Sequence, residues 1–286
     1  MQKLLITIIF GLSVAMSPSV SPAKRKGNRG KKAVAAQKGN EEATVMPEEV
    51  KNAVEDLTSE NPDTVIEAIQ ILGSLANPLA VEPLLTLLET GPRSDITDSV
   101  LFALAGIPGD KAVPVLLEYL NHRRPDARSA AIMALENKNG DEVNRALENA
   151  LRDSDRQVRA TAALTLSARG DSKSVPILFE AFDRDVPEAA IAIGRLGTED
   201  DAKRLTRYLG QEDIKVLLAG FEEFLKRPAF PESAKLNILN RLFDLAGPEV
   251  WRFAVNFKAT FPPDTNEADN NVYKLVSRMV RQIKDK

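Results

Sequence analysis

The 286 residues contain one histidine, His122, and no cysteine. Those two side chains supply most protein nucleophiles, general bases and zinc ligands, so common zinc sites and Cys/His nucleophile systems are closed off by inventory. His122 stands beside Arg123 and Arg124 with no nucleophile signature nearby, and reads as a junction residue between two helical units. Carboxylates remain: Asp153/Asp155, Asp183/Asp185 and Glu199/Asp200/Asp201. Each group falls between apolar helical stretches, where an acid accepts the free N–H groups of a helix start, so capping is the chemistry they support. Neither the oxygen spacing of a calcium loop nor a glycine-rich phosphate loop occurs. One more group is suggestive: Arg169-Gly170-Asp171-Ser172 spells an adhesion-receptor tripeptide.

The elements that carry these residues repeat. Leu72, Leu104, Leu135, Leu166 and Ile193 each end an apolar helical stretch. Val81, Val113, Val143, Val175 and Ala202 each anchor the stretch that follows. Both series step by about 27–32 residues, and two independent anchors with one period predict an array of helix pairs. In AVPVLLEYL (112–120) and SVPILFEAF (174–182) the apolar residues recur on one helical face. The preceding helices are alanine-rich, RSAAIMAL (128–135) and RATAALTL (159–166), which predicts close packing between neighbours. Pro114 and Pro176 fit the first turn of a second helix, where a missing N–H costs nothing. The same register holds Pro108-Gly109-Asp110 and Asn139-Gly140-Asp141, so Gly-Asp belongs to the repeat. Glycine there takes the left-handed conformation that ends a helix, and the acid favours the start of the next. The tripeptide is therefore expected to be a turn.

The stretch DRQVRATAALTLSARGDSKSVPILFEAF (155–182) and, more loosely, PDARSAAIMALENKNGDEVNRALENAL (125–151) resemble the short HEAT-like repeats of bacterial proteins first associated with phycobilisome lyases. IEAIQILGSLANPLAVEPLLTLL (66–88) and SVLFALAGIPGDKAVPVLLEYL (99–120) follow the same plan, and the resemblance covers residues 62 to 210. It implies an all-α, right-handed α-solenoid of HEAT-like helix pairs but says little about activity, because such solenoids serve many partners. The sparse catalytic inventory is what points to a non-catalytic binding scaffold. Related helical-repeat hydroxylases hold a di-iron centre through several His-Glu pairs; none is present here, so no cofactor is carried over. A lyase-type accessory role is the enzymatic alternative, without a motif that maps onto this chain.

In such solenoids the second helices line the concave face, and residues one period apart form ridges. One ridge runs through Leu87, Tyr119, Asn149, Ala181 and Tyr208, and a second through Pro83, Val115, Arg145, Ile177 and Arg204. A third joins Thr86, Glu118, Glu148, Glu180 and Arg207. Val115, Glu118, Tyr119, Arg145, Glu148, Ile177, Glu180, Arg204, Arg207 and Tyr208 are the candidate partner-binding residues: an acidic rail flanked by apolar contacts, for a protein or peptide. Glutamate is also a good exposed helix former, which is the plainer reading of the rail.

Outside the array the composition changes. Residues 1–23 have the pattern of a secretory signal peptide, with Lys3, the apolar run LLITIIFGLSVAM (4–16) and small residues at Ser21 and Ala23. An uncleaved anchor is the alternative. Export without cysteine or a glycosylation sequon points to a periplasmic or secreted bacterial protein. Residues 24–46 read as a basic disordered arm, with Lys24, Arg25, Lys26, Arg29, Lys31, Lys32 and Lys38 and no acid before Glu41. The formal net charge is −3, yet without Lys3 and those seven bases 30 basic residues face 41 acidic ones. The arm could tether the chain to an anionic envelope polymer or serve as a solvated spacer. An acidic body with its bases in an arm free of aromatics argues against nucleic acid. The solenoid is expected over 47–247 and an aromatic-rich C-terminal cap over 248–286, where Trp251, Phe253, Phe257 and Phe261 either close the array or form a docking patch.

Overall fold

Alanine-rich and leucine-rich helices alternate along the chain, and the computed structural model, which describes residues 46–283, stacks them in two layers. Helix α1 (Glu48–Asp56) lies against α2 (Pro62–Leu75), and seven pairs follow in order. They are α2 with α3 (Val81–Glu89), α4 (Ser94–Gly106) with α5 (Val113–Tyr119), and α6 (Pro125–Ala134) with α7 (Asp141–Ala150). Next come α8 (Arg156–Arg169) with α9 (Val175–Phe182), and α10 (Glu188–Leu196) with α11 (Glu199–Thr206). The last two are α12 (Ile214–Lys226) with α13 (Glu232–Leu245), and α14 (Pro248–Lys258) with α15 (Asn271–Ile283). This is an all-α solenoid of HEAT-like pairs, without a strand among the described residues. The segments expected to be a signal peptide and all but the last residue of the basic arm lie outside those residues. None of the described helices is long and apolar enough to cross a membrane.

All ten anchors are core residues, at 4% exposure or less. The first helices from α2 to α12 pack side by side in one continuous layer. Small residues permit it. Gly73 faces Ala103, and a Cβ on Gly220 would stand 2.6 Å from the Ala190 carbonyl oxygen, well inside contact distance. The spine of the array is thus set by the absence of side chain at a few positions.

Cations fasten the layer from one repeat to the next. The Lys138 ammonium donates to the Ile107 carbonyl at 2.5 Å, just past the end of α4. Arg169 donates from Nη1 to the carbonyls of Leu135, Glu136 and Lys138, at 2.8, 2.8 and 2.7 Å, at the end of α6. Arg227 does the same for Gly194 and Gly197, at 3.2 and 2.6 Å, at the end of α10. Each cation sits at the close of one first helix and satisfies the orphan carbonyls of the first helix before it. Burial pushes the basicity of all three below its ordinary value. At the opposite end of the helices, Arg128 grips Asp153 with two bonds of 2.8 and 2.7 Å and donates to the His122 carbonyl at 2.9 Å. Arg159, one period on, holds the carbonyls of Asp153 and Ser154.

Gly109, Gly140 and Gly170 all take a positive φ, of +94°, +119° and +75°. Only Gly170, with ψ of 10°, ends a helix in the expected left-handed conformation. Gly140, with ψ of 142°, instead precedes α7 as its N-cap, and α4 ends at the extended Ile107. Asp171 accepts from the Lys173 N–H at 2.9 Å, while Asp110 reaches forward to the Asn139 N–H at 2.8 Å and so binds the next turn. Past α13, α14 stacks on α12 and α15 on α13, so the C-terminal segment continues the two-layer order. Phe253 and Phe257 are buried there, and the Trp251 Nε1–H donates to the Val280 carbonyl at 3.1 Å. The aromatics join α14 to α15.

Candidate functional site

The second helices are short because a proline in the first turn of α5 and of α9 fixes where each begins. Their leucines and valines point to the first layer: Val113, Leu116, Val143, Leu147, Val175 and Leu178 are all buried. The opposite face carries the predicted ridges. Glu118, Arg145, Glu180, Arg204 and Arg207 are exposed, and Val115, Tyr119, Glu148, Ile177 and Tyr208 are half-buried.

These residues have unequal freedom. Glu180 is paired with Arg152 at 3.1 Å, and Glu148 accepts from the Ser174 hydroxyl at 3.2 Å. The rail of glutamates is therefore partly neutralised along its length, and Glu118 alone of the three has neither kind of partner among the described residues. Arg204 lies 3.8 Å over the Phe179 ring, a stacked cation that also shields the core. The Tyr208 hydroxyl donates to Asp183 at 2.6 Å, and its ring meets Phe182 edge-on at 5.0 Å. Burial raises the Tyr208 hydroxyl above its ordinary pKa, and the bond to Asp183 adds to that. Tyr119 stacks on His122 at 5.5 Å, and burial also raises its hydroxyl. His122 accepts the Arg124 N–H on Nδ1 at 3.2 Å, which gives the lone histidine a turn-making task.

Between α5 and α7 the second layer opens into a groove of about 440 Å³. Leu117, Leu120 and Asn121 form one wall, Arg145 and Asn149 the other, and Asp153 closes an end. Asp153 is committed to Arg128, but Arg145 has no ion pair among the described residues. A second hollow, of about 590 Å³, lies against α12, α14 and α15, with Phe230, Glu232, Lys235, Phe261 and Asn270 in its lining. Burial lowers the basicity of Lys235 there.

Of the carboxylates singled out by spacing, Asp155 and Asp201 cap helix starts, and Asp153, Glu199 and Asp200 enter ion pairs. By contrast α10, the helix after Asp183 and Asp185, starts with no side-chain cap, and Asp183 accepts from the Tyr208 hydroxyl instead. Asp155 accepts from the N–H groups of Gln157 and Val158, and Thr198 with Asp201 forms a reciprocal capping box. Glu199 and Asp200 share Lys203, at 3.2 and 3.3 Å. Among the described residues no three His, Cys, Asp or Glu side chains gather as metal ligands would.

Sequence reasoning missed one surface. Ile71, Phe102, Met133 and Leu164 are large apolar side chains left exposed on α2, α4, α6 and α8. They recur at intervals of 31 residues, the period of the repeat itself. That period was legible, but the apolar content of the first helices does not tell these four residues from the buried ones beside them.

Comparison with known proteins agrees with the architecture. Residues 113–188 match the model of the HEAT repeat family, so the chain carries HEAT repeats there. No curated protein sequence matches the chain. Among solved structures it is similar to the complex of CpcE and CpcF of phycocyanin lyase from Nostoc sp. PCC7120, at 17% identity and a TM-score of 0.46, over 88% of this chain and 100% of that one. It is also similar to human deoxyhypusine hydroxylase in complex with glycerol, at 16% identity and a TM-score of 0.39, over 82% of this chain and 96% of that one. A designed armadillo repeat protein matches at 15% identity and a TM-score of 0.34, over 82% of this chain and 100% of the design.

Proposed function

We propose that this chain is a non-catalytic binding scaffold, exported to the periplasm or beyond, which takes a protein or peptide partner along the face of its second helices. The observation that carries this reading is the groove between α5 and α7. It sets Leu117, Leu120, Ala146 and Ala150 beside Arg145, a cation that lacks an ion pair among the described residues, with Glu142 also in the lining. A partner carboxylate set beside an apolar side chain would satisfy both. The half-exposed Val115, Tyr119 and Ile177 extend the contact along the array, and Glu118 adds a charge with no ion pair. A hollow that sets apolar side chains beside a few convergent polar groups is what peptide recognition asks of a scaffold.

Crosslinking in intact cells, followed by capture of the chain, tests this. The partner recovered with the parent chain should be lost when Arg145 is changed to Glu, and weakened when Glu118, Glu148 and Glu180 are all changed to Lys. Recovery of the same partner at the same level from both variants would remove the second-helix face from consideration.

The charge split between the basic segment 24–38 and the acidic remainder favours one further reading, an electrostatic tether to an anionic envelope polymer. It predicts that deleting residues 24–39 abolishes retention on the envelope at low salt. Retention that survives the deletion rules the tether out.

A further inference from the structure

The ladder of Ile71, Phe102, Met133 and Leu164 belongs to the first layer, on the opposite side of the chain's helix pairs from the groove. These side chains are 39%, 73%, 45% and 38% exposed. Within one turn of the rungs, Ser74, Ser99, Ala105, Ala130, Thr161 and Ala168 carry no charge, and the charges there are all acidic, Glu67, Asp98 and Glu136. A monomeric surface rarely sets four large apolar groups in register without covering them.

The geometry points to an amphipathic α-helix, basic along one flank, as the partner that lies across this ladder. Spacing carries the first half of the inference. First helices packed side by side sit about 8–10 Å apart, and seven residues of an α-helix rise about 10.5 Å. A helix laid across α2, α4, α6 and α8 therefore meets one rung with each heptad of apolar residues. An extended strand does not match, because its same-face residues recur at about 6.6 and 13 Å.

Charge carries the second half. Asp63, Asp95 and Asp126 stand in the first turns of α2, α4 and α6. Asp95 and Asp126 precede Phe102 and Met133 by seven residues, two helical turns, and so share their face. Glu67, four residues before Ile71, does the same on α2. Asp95 pairs only with its neighbour Arg93, while Asp63, Glu67 and Asp126 have no ion pair among the described residues. The acidic edge ends at α8, where Arg156 and Gln157 replace the acid, so the basic flank of the partner should lie over α2 to α6. On the side of the helix starts, Asp63, Glu67, Asp95 and Asp126 outnumber the exposed Arg93 and Arg123. On the other side stand Ser74, Gly106, Asn137 and Ala168, with Glu136 the one charge among the neighbouring positions.

Fluorescence anisotropy with the full chain and three labelled peptides tests the inference. The first peptide is a four-heptad helix with leucine at heptad spacing and lysine along one flank. The second carries glutamate in place of lysine, and the third is a scramble of the first. The first should bind at least tenfold more tightly than either of the others, and binding should weaken as salt is added. Phe102→Ser with Met133→Ser should weaken it at least tenfold while leaving thermal unfolding in place, because both side chains are exposed. Arg145→Glu, on the other layer, should leave it unchanged. Equal binding of the scramble, or no effect of the double substitution, would overturn the inference. So would sedimentation showing that the parent chain pairs through this face with a second copy, or flotation showing that it binds neutral phosphatidylcholine vesicles through Phe102.

Discussion

Neighbouring first helices touch through glycine and alanine, whereas the second helices press leucine, valine and phenylalanine down onto them and open into a groove between α5 and α7. The polar groups divide in the same way. Cations near the first layer are spent on carbonyls at helix ends, as Lys138, Arg169 and Arg227 are. Cations on the second layer pair at the surface or stay free, as Arg152 and Arg145 do. One layer fixes the spacing of the array, and the other is left to vary. A repeat protein gains from this division, because a partner surface can change without disturbing the interfaces that carry stability from unit to unit.

The sharpest way to break that contrast is to add one methyl group to each layer. Gly220→Ala would drive a Cβ against the Ala190 carbonyl oxygen, and α10 and α12 would have to separate. A loss of about 2–3 kcal/mol is expected in urea unfolding. Asn149→Gln, one methylene longer on the exposed face of α7, should stay within about 0.5 kcal/mol. Equal stability of the two variants would show that the close approach of the first helices constrains nothing.

Arg169 gives the next effect. Arg169→Ala removes the donor from three carbonyls. The carbonyl of Leu135 keeps the Lys138 N–H, but those of Glu136 and Lys138 have no other hydrogen bond among the described residues, at a cost of about 2–3 kcal/mol. Arg169→Lys should recover part of it, since an ammonium can reach fewer of the three acceptors in one geometry. The measurement is the urea midpoint of each variant. A midpoint unmoved by the alanine would return Arg169 to the status of a free surface cation, and with it the tripeptide reading of 169–171.

Acid tests the turn end of the first layer. Burial raises the Asp153 pKa, but the bonds from Arg128 and from the Asp155 N–H outweigh it and leave the carboxyl below its ordinary value. A depressed folded-state pKa contributes stability that is present above the unfolded value, about 3.9, and is lost as pH falls through the folded one. Asp153→Asn should therefore be less stable than the parent by about 1–2 kcal/mol at neutral pH, with the gap closing below about pH 4. Urea midpoints at pH 7 and pH 3 measure it, and a gap that widened in acid would contradict the assignment.

The layers also differ in how far sequence could reach them. The ten anchors, the turn at Gly170 and the caps at Asp155 and Asp201 follow from short-range pattern, and the structure places them as expected because helix periodicity and turn chemistry are local. The rivets were invisible for the opposite reason. Arg169 acts on carbonyls more than thirty residues earlier, and nothing in its neighbourhood of sequence distinguishes it from a solvated arginine. Phe102 was hidden for another reason: the apolar surface of α4 is too broad for periodicity to separate the buried Leu101 from the exposed Phe102. On the second layer, the ridge through Tyr119 and Tyr208 runs into the buried Ala181, and the pairing of Glu180 with Arg152 was not legible, since it depends on how two units twist against each other.

That pair supplies the smallest effect and the finest discrimination. Arg152 and Glu180 are each about half exposed, so their ion pair is worth little to the fold. Arg152→Ala should change stability by less than about 0.5 kcal/mol. Binding is another matter. Losing Arg152 frees Glu180 and makes the glutamate rail more negative, so a partner that approaches through Arg145 with a carboxylate should bind more weakly, and a basic partner more tightly. The sign of the shift therefore reads the charge of the natural partner before that partner is identified. A fall of several degrees in melting temperature would have a different meaning: the pair would be holding α7 and α9 together, and the second layer would be less free to vary than its exposed side chains suggest.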